Sequence, residues 1–297
     1  MMMREAPWAM SIRDTLQIFK LRIGFAIMLS ALGGLAITPG PMPAAWRIAV
    51  LAASVFLASA SAGAFNQWVE ADLDARMKRT ANRPFATGRF HAGRAWLTAI
   101  VLLLVVAVAA AAAVSNAWAA FYTFMGAFTY AIIYTVWLKR RSWTNIVVGG
   151  LAGSFAVLAG AAAVNPSLSP EAVLLAVVLF LWTPPHFWSL AIAAHDDYAR
   201  AGVPMLPVIA GDAVSARVIL AHTLALAGVS LLPTLYGMGW IYFACALAGG
   251  GAFVWTSIGL VLDPTRRKAI VNFLASLVQL VLLLAGTMLD RAYGGLL

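Results

Sequence analysis

The stretch AWLTAIVLLLVVAVAAAAAV, residues 95–114, decides the class of this protein because it is long, apolar and free of charge. A helix needs about 17–25 mostly apolar residues to cross the hydrocarbon core of a bilayer. The chain of 297 residues is 63% hydrophobic and 10% charged, whereas soluble domains are about 45–50% apolar and about 25% charged. The sequence therefore predicts an all-α, polytopic integral membrane protein.

Further apolar segments of the same kind can be placed without putting a charge at a helix centre. The nine predicted spans cover residues 22–38, 47–66, 95–114, 118–138, 146–164, 171–194, 217–235, 240–262 and 270–289. The first span follows a basic lead, as in a signal sequence, but it ends without a clear small-residue cleavage site, so we interpret it as a retained helix. Residues 1–297 are predicted to form one membrane domain.

The net charge of +9 could suggest a nucleic-acid partner, but the basic residues form short clusters between the apolar spans. Clusters of this kind mark cytoplasmic loops. If the N-terminus is cytoplasmic, every Lys and Arg except Arg47 and Arg291 falls on the cytoplasmic side, and a wrong helix count would scramble this asymmetry. The charges predict a cytoplasmic N-terminus, an outside C-terminus and no nucleic-acid partner.

Two predicted cytoplasmic loops, about 67–94 and 195–216, are long and rich in acidic residues. Six of the 11 acidic residues lie there, namely Glu70, Asp72, Asp74, Asp196, Asp197 and Asp212. Function tends to sit on loops that a rigid scaffold carries. The chemistry is therefore expected at the cytoplasmic face. The single Cys245 excludes an intramolecular disulfide and a Cys-pair metal site.

The first acidic loop begins with a stripe of oxygen ligands. Asn66, Glu70 and Asp74 are four residues apart and share one face if the helix continues, while Asp72 points elsewhere. Mg²⁺ takes such hard oxygen ligands when it also holds substrate phosphates. The alternative is a ladder of ion pairs, in which Asp72 and Asp74 face the cations four residues further on.

Basic residues accompany these carboxylates. They are Lys78, Arg79 and Arg83 in the same loop, and Lys139, Arg140 and Arg141 after the fourth predicted span. Together with Mg²⁺, cations of this kind could clamp a diphosphate. They could equally be anchors at the membrane surface.

The second acidic loop begins with Asp196 and Asp197 at the end of an apolar helix. Adjacent carboxylates repel each other unless a cation or a donor compensates, and the helix dipole disfavours them at a C-terminus. Simple capping into a turn is the alternative. Upstream, Pro184 and Pro185 lie inside the predicted helix directly before His186, and prolines there remove backbone hydrogen bonds.

These motifs resemble the UbiA-type intramembrane prenyltransferases, and most closely the branch that acts on heme. The resemblance covers about residues 15–290 and rests on four segments. They are Asn66-Gln67-x-x-Glu70-x-Asp72-x-Asp74 with Met-Lys-Arg-Thr-x-Asn-Arg-Pro84, Leu138-Lys-Arg with Asn145-Ile-Val-Val-Gly-Gly150, Pro184-Pro-His-Phe-Trp-Ser-Leu-Ala-Ile192, and Asp196-Asp-Tyr-x-x-Ala-Gly-Val-Pro-Met-Leu-Pro207. The second family motif is usually Asp-x-x-x-Asp, so the adjacent pair here leaves the roles of Asp196 and Asp197 undivided.

The resemblance implies a nine-helix UbiA-type bundle and the transfer of a farnesyl group from farnesyl diphosphate to heme B, which is a substrate and not a cofactor. It implies Mg²⁺ held by Glu70, Asp72, Asp74, Asp196 and Asp197, with Asn66, Glu70, Asp74 and Asp197 catalytic. Diphosphate is expected on Lys78, Arg79, Arg83, Lys139 and Arg140, and heme near His186, Tyr198 or His195. A bacterial cell inner membrane, with the active site facing the cytoplasm, and a downstream heme-modifying enzyme or oxidase assembly factor complete the expectation.

Three other functions fit parts of the sequence. A related prenyltransferase could act on an aromatic quinone precursor or a chlorin. A transporter or proton pathway would place acidic residues within spans, whereas those of this chain fall at or beyond predicted helix ends. A heme-binding chaperone would leave carboxylates at metal-ligand spacing without an evident purpose.

Overall fold

The computed structural model describes residues 12–293. Arg4, which the charge argument counts as cytoplasmic, and the chain ends lie outside these residues. The helices run in the following order: α1 Ile12–Ile18, α2 Leu21–Ile37, α3 Ala45–Val69, α4 Ala71–Asp74, α5 Arg94–Val114, α6 Ala117–Phe128, α7 Asn145–Gly149, α8 Leu151–Val164, α9 Pro170–Ala193, α10 His195–Arg200, α11 Leu206–Ala210, α12 Asp212–Leu231, α13 Trp240–Leu262 and α14 Arg266–Tyr293. A π-helix, Thr129–Leu138, continues α6, and a 3₁₀ turn, Leu232–Tyr236, continues α12.

The all-α prediction is confirmed, since residues 12–293 contain helices, turns and loops and no strand. In this described part of the chain, eight helical segments are long and apolar enough to cross a membrane: Ala45–Val69, Arg94–Val114, Ala117–Leu138, Asn145–Val164, Pro170–Ala193, Asp212–Tyr236, Trp240–Leu262 and Arg266–Tyr293. The first predicted span corresponds to α2, which is apolar but shorter, with 17 residues. The nine-span count and the orientation of the termini therefore stay predictions.

Local sequence explains where several helices begin. Asn116 accepts a hydrogen bond from the backbone N–H of Ala119 and caps α6. Ser169 does the same for the N–H of Ala172 at the start of α9, where Pro170 takes a position that needs no N–H donor. Further along α9, the two internal prolines do not end the helix.

The long helices close into a ring. Each contacts the next in the order α3, α5, α6, α8, α9, α12, α13 and α14, and α2 joins α14 back to α3. Two further pairs, α2 with α8 and α9 with α14, cross the interior. The loop that follows α3 and the loop that follows α9 meet at one end of the bundle, where the backbone N–H of Arg79 donates to Asp197.

Two glycines allow α2 and α8 to cross at close range. A Cβ atom on Gly34 would lie 2.0 Å from the carbonyl oxygen of Val157, and one on Gly160 would lie 1.8 Å from that of Ala31. Both contacts are with backbone, which a side-chain rotation cannot relieve. Small residues at crossings of this kind let helices pack without large side chains between them.

The outer surface of the ring is apolar. On α5, Val105 and Val106 expose 57% and 60% of their surface, and Trp240, Trp255 and Leu262 on α13 expose 77–80%. Contiguous exposed apolar surface marks contact with a membrane or a partner. Lipid tails provide that contact here, because the surface follows the helices that are long enough to span a bilayer.

Candidate active site

The predicted stripe of oxygen ligands lies at the end of α3. The helix ends at Val69, but Asp74 N–H still donates to the carbonyl of Glu70, so the helical path continues through α4. Asn66, Glu70 and Asp74 are all buried, with 1%, 0% and 2% of their surface exposed. Asp72 points away, as the spacing predicts, and its side chain is 52% exposed.

Cations from distant parts of the chain neutralise these carboxylates. Lys139 Nζ lies 2.5 Å from Glu70 Oε2, and Arg83 Nη1 donates to both oxygens of Asp74 at 2.8 Å. The other oxygen of Glu70, Oε1, is buried without a partner. The alternative ladder of neighbouring ion pairs is therefore wrong, because the partners are not the cations four residues further on.

Asp72 forms a separate pair at the surface. Arg140 donates to both of its oxygens, at 2.7 and 3.0 Å. This hydrogen bonding holds the pKa of Asp72 below its ordinary value and raises the pKa of Arg140. The pair fastens the end of α3 to the segment after the π-helix.

Lys20 belongs to the same cluster, although the sequence identified it only as one of the cytoplasmic charges. It precedes α2 in a left-handed backbone conformation, with φ 49° and ψ 46°. Its ammonium donates to Asn66 Oδ1 at 2.5 Å and to the Tyr130 hydroxyl at 3.0 Å. Burial lowers the pKa of Lys20, and the nearby cations Arg83 and Lys139 lower it further.

The π-helix that follows α6 lines the opposite wall of the cluster. Its wider turn appears in the backbone bond from Lys139 N–H to the carbonyl of Tyr134, and the Thr135 hydroxyl donates to the carbonyl of Tyr130. Thr135 also accepts from the Asn66 amide at 2.9 Å, and Lys139 lies over the ring of Tyr134. Such segments are rare and often occur at functional sites.

Gln67, which follows Asn66 in the first motif, does not face the carboxylates. Its amide nitrogen donates to the carbonyls of Gln17 and Ile18 at the end of α1, at 2.9 and 3.0 Å. Gln67 therefore holds α1 against α3. It does not belong to the stripe of oxygen ligands, whose first member is Asn66.

The structure separates the two adjacent carboxylates that the sequence left undivided. Asp197 accepts from the backbone N–H of Arg79 at 3.4 Å and forms an ion pair with Arg200, so it joins the second acidic loop to the first. Asp196 is exposed. Lys78 is also exposed and forms no ion pair within the described part of the chain.

The three heme candidates lie in different surroundings, and Tyr198 is buried in α10. His186 is 7% exposed and sits between the rings of Trp182 and Phe273, with centroids 4.1 and 4.5 Å away. Its Nδ1 lies 2.6 Å from the hydroxyl of Ser276. His195 is bonded instead to Asp212 at 2.8 Å, and both of those side chains are about one-third exposed.

The predicted metal ligands do not form a single cluster. Within residues 12–293, no group of three or more His, Cys, Asp or Glu side chains is arranged to hold one ion. Asp72 and Asp196 are exposed, whereas Glu70 and Asp74 are buried beside cations. Glu70, Asp74 and Asp197 are the more buried of the five carboxylates, whereas Asp72 and Asp196 are exposed.

Comparison with known proteins gives a consistent result. The UbiA prenyltransferase family matches residues 27–284. A relative from Paramagnetospirillum magneticum named protoheme IX farnesyltransferase 2 is 55% identical over 278 residues, which make up 94% of this chain and 96% of the relative. At 15% identity, a structure of digeranylgeranylglyceryl phosphate synthase has a TM-score of 0.77 and covers 94% of this chain and 98% of its own. A UbiA homolog from Archaeoglobus fulgidus bound to DMAPP and Mg²⁺ has a TM-score of 0.71 at 14% identity, over 91% and 99% of the chains, and both structures share the fold of this chain.

Proposed function

The chain belongs to the UbiA prenyltransferase family, and from this premise we propose that it transfers the farnesyl group of farnesyl diphosphate to heme B. A vinyl group of heme B receives the farnesyl group, water is added, and heme O and diphosphate are released. The observation that carries this assignment is the 55% identity, over nearly the whole length of both chains, to a relative named protoheme IX farnesyltransferase.

The buried carboxylate of Glu70 supports the binding of a divalent cation at the end of α3. Glu70 presents one buried oxygen without a partner, and an enclosed carboxylate oxygen calls for a cation or a donor. Glu70, Asp74 and Asp197 would hold Mg²⁺, with Asp72 and Asp196 at the edge of the site. The A. fulgidus homolog, which was solved with DMAPP and Mg²⁺, supports this. A bound Mg²⁺ would stabilise the charge of the departing diphosphate.

The cations of the site then act on the diphosphate. Lys139 and Arg83 are bound to Glu70 and Asp74. When a diphosphate binds, they turn to its oxygens, and Lys20 stands beside them on Asn66. Lys78, Arg79 and Arg140 lie at the outer edge, where they receive the leaving group. Donors placed where charge develops lower the barrier to bond cleavage.

The proposed farnesyl transfer proceeds in the following steps. The bond between the allylic carbon and oxygen breaks, and diphosphate leaves with the electron pair. The vinyl π electrons of heme attack the allylic cation, water adds to the resulting cation on the heme side chain, and a proton is lost. The apolar helices around the site exclude bulk water from the first cation.

Among the heme candidates, His186 has the surroundings of an iron contact. Ser276 holds Nδ1, and Nε2 has no partner within residues 12–293. Histidine ligands of metals are commonly oriented by a second hydrogen bond on the other ring nitrogen. His195 is held by Asp212 near the surface, and Tyr198 is buried close to the acidic loop, and we assign these two to the polar edge of heme.

The environment of the protein follows from its surface. It is an integral membrane protein. We assign it to a bacterial inner membrane with the acidic end in the cytoplasm, since the basic clusters adjoin that end. A downstream heme-modifying enzyme or an oxidase assembly factor would receive the apolar product.

The test is a reconstitution with defined substrates. Purified protein in detergent is incubated with heme B, farnesyl diphosphate and Mg²⁺, and the pigment is analysed by mass spectrometry beside a sample with EDTA. A heme that gains one farnesyl group and one water, only with Mg²⁺, is the expected product. Unchanged heme, with an aromatic acceptor prenylated in its place, would overturn the assignment of the acceptor.

A further inference from the structure

A polar cavity lies at the end of the bundle opposite the carboxylates described above. It has a volume of about 520 Å³, within the range of about 300–1,000 Å³ that is usual for ligand sites. The C-terminal end of α2, the start of α9, the loop before α13 and the end of α14 enclose it. The charged side chains in its wall are Glu171, Asp290 and Arg291.

Glu171 is the feature that needs an explanation. It is 6% exposed, and its Oε2 is enclosed without a hydrogen-bond partner. The other buried carboxylates of the described chain all have partners, since Glu70 and Asp74 bind cations and Asp290 binds backbone N–H groups. Burial of a carboxylate without a compensating donor is unfavourable. A carboxylate in the wall of a cavity is therefore available to a donor that enters the cavity.

The other two charges of the wall are arranged differently. Both oxygens of Asp290 are occupied, by the N–H groups of Gly239 at 2.7 Å and Tyr242 at 3.3 Å, so Asp290 caps α13. Arg291 is exposed at the edge of the cavity and donates one hydrogen bond to the carbonyl of Gly40. A guanidinium has five N–H donors, so most of this group stays free for an anion.

We propose that this cavity binds the headgroup of an aminophospholipid, with the primary ammonium on Glu171 and the phosphate near Arg291. A free carboxylate and an exposed guanidinium match the two charges of a phosphoethanolamine group. The cavity opens at the helix ends, where lipid headgroups lie beside the bundle. The occupant is thus a lipid of the leaflet that adjoins this end.

Two other cations match the cavity less well. Ca²⁺ and Mg²⁺ take about six or more oxygen ligands, but only one carboxylate here is free. A quaternary ammonium such as choline is held by aromatic rings, and Tyr236 is the single aromatic residue in the wall. An ammonium with three N–H donors suits one carboxylate and the nearby carbonyls.

The experiment measures the thermal stabilisation of the purified full-length protein by short-chain lipids in detergent. The probes are dihexanoyl phosphatidylethanolamine, its choline and glycerol analogues, glycerophosphoethanolamine and Mg²⁺ alone. We expect the ethanolamine lipid to stabilise the protein at the lowest concentration. Because Glu171→Gln weakens a charge-assisted hydrogen bond to the ammonium, it should raise the required concentration at least about tenfold. Asp263→Asn, a change of the same kind at an exposed residue between α13 and α14, should not.

The outcomes separate the possible occupants. Equal stabilisation by the ethanolamine and choline lipids, or a preference that survives in Glu171→Gln, would refute the proposal. Stabilisation by Mg²⁺ that depends on Glu171 would assign the cavity to a metal ion. A comparable response to glycerophosphoethanolamine would assign it to a free amine. Native mass spectrometry of the same samples counts the bound lipid and detects a variant that fails to fold.

Discussion

Replacement of Lys139 by Met should destabilise the protein strongly, because it leaves Glu70 charged and buried. Glu70 is 0% exposed and Lys139 is 12% exposed, so water cannot take the place of the lost ammonium. Removal of one partner of a buried ion pair costs about 3–5 kcal/mol. The double variant Glu70→Gln/Lys139→Met carries no charge at the pair and should recover most of this loss.

Stability and turnover should respond differently in these variants. Thermal unfolding in detergent should rank the wild type and the double variant above Lys139→Met, whereas farnesyl transfer should be lost in both variants because they lack a group for the metal or the diphosphate. Arg141→Met is a matched control: Arg141 lies two residues on, is exposed, and donates only to the carbonyls of Val136 and Trp137. An unaltered unfolding temperature in Lys139→Met would refute the stabilising role of the Glu70–Lys139 ion pair. Full activity in the double variant would show that the pair is structural only.

The remaining predictions concern other parts of the molecule. Asp197→Asn should lower turnover by tenfold or more because Asp197 faces the first acidic loop, whereas Asp196→Asn should have a small effect, and steady-state assays with matched protein levels distinguish the two. Ser276→Ala should change the absorption spectrum of bound heme by releasing the imidazole that Ser276 orients, with little effect on the KM for farnesyl diphosphate; an unchanged heme spectrum would contradict that role. Gly160→Ala should prevent correct folding because its Cβ would overlap a backbone carbonyl, and Gly228→Ala, where a Cβ meets no atom within 4 Å, should be neutral in a size-exclusion assay.

The sequence predicted the positions of the acidic residues but not their partners. The four-residue spacing of Asn66, Glu70 and Asp74 is a local property of a helix, and local periodicity is visible in sequence. Glu70 and Lys139 are 69 positions apart, and their contact depends on how α3 packs against the π-helix. Such pairs form only when the helices pack into a ring, and a single sequence shows no pattern that predicts this packing.

Other features of the structure were not predicted from the sequence for the same reason. Lys20 looks like any basic residue before a membrane span, and only its contact with Asn66 and Tyr130 distinguishes it. The π-helix has an ordinary apolar sequence. Glu171 lies at the start of a helix, after a loop with the sequence of a simple connector. Its lack of a partner is visible only in the structure, where α2 and α14 enclose it.

The two ends of the bundle treat buried acid in opposite ways, and the difference supports the proposed location of catalysis. At the proposed catalytic end, each of Glu70, Asp74 and Asp197 is paired with a cation from another segment or an adjacent turn. A metal ion with diphosphate can replace these pairs, because the metal takes the carboxylates and the diphosphate takes the released cations. Diphosphate alone would compete with the carboxylates for the same cations, so the two ligands should bind with positive coupling. Glu171 has no such cation within the described chain. A carboxylate without a cation suits the retention of a bound lipid, whereas each turnover requires carboxylates that exchange cations with a substrate.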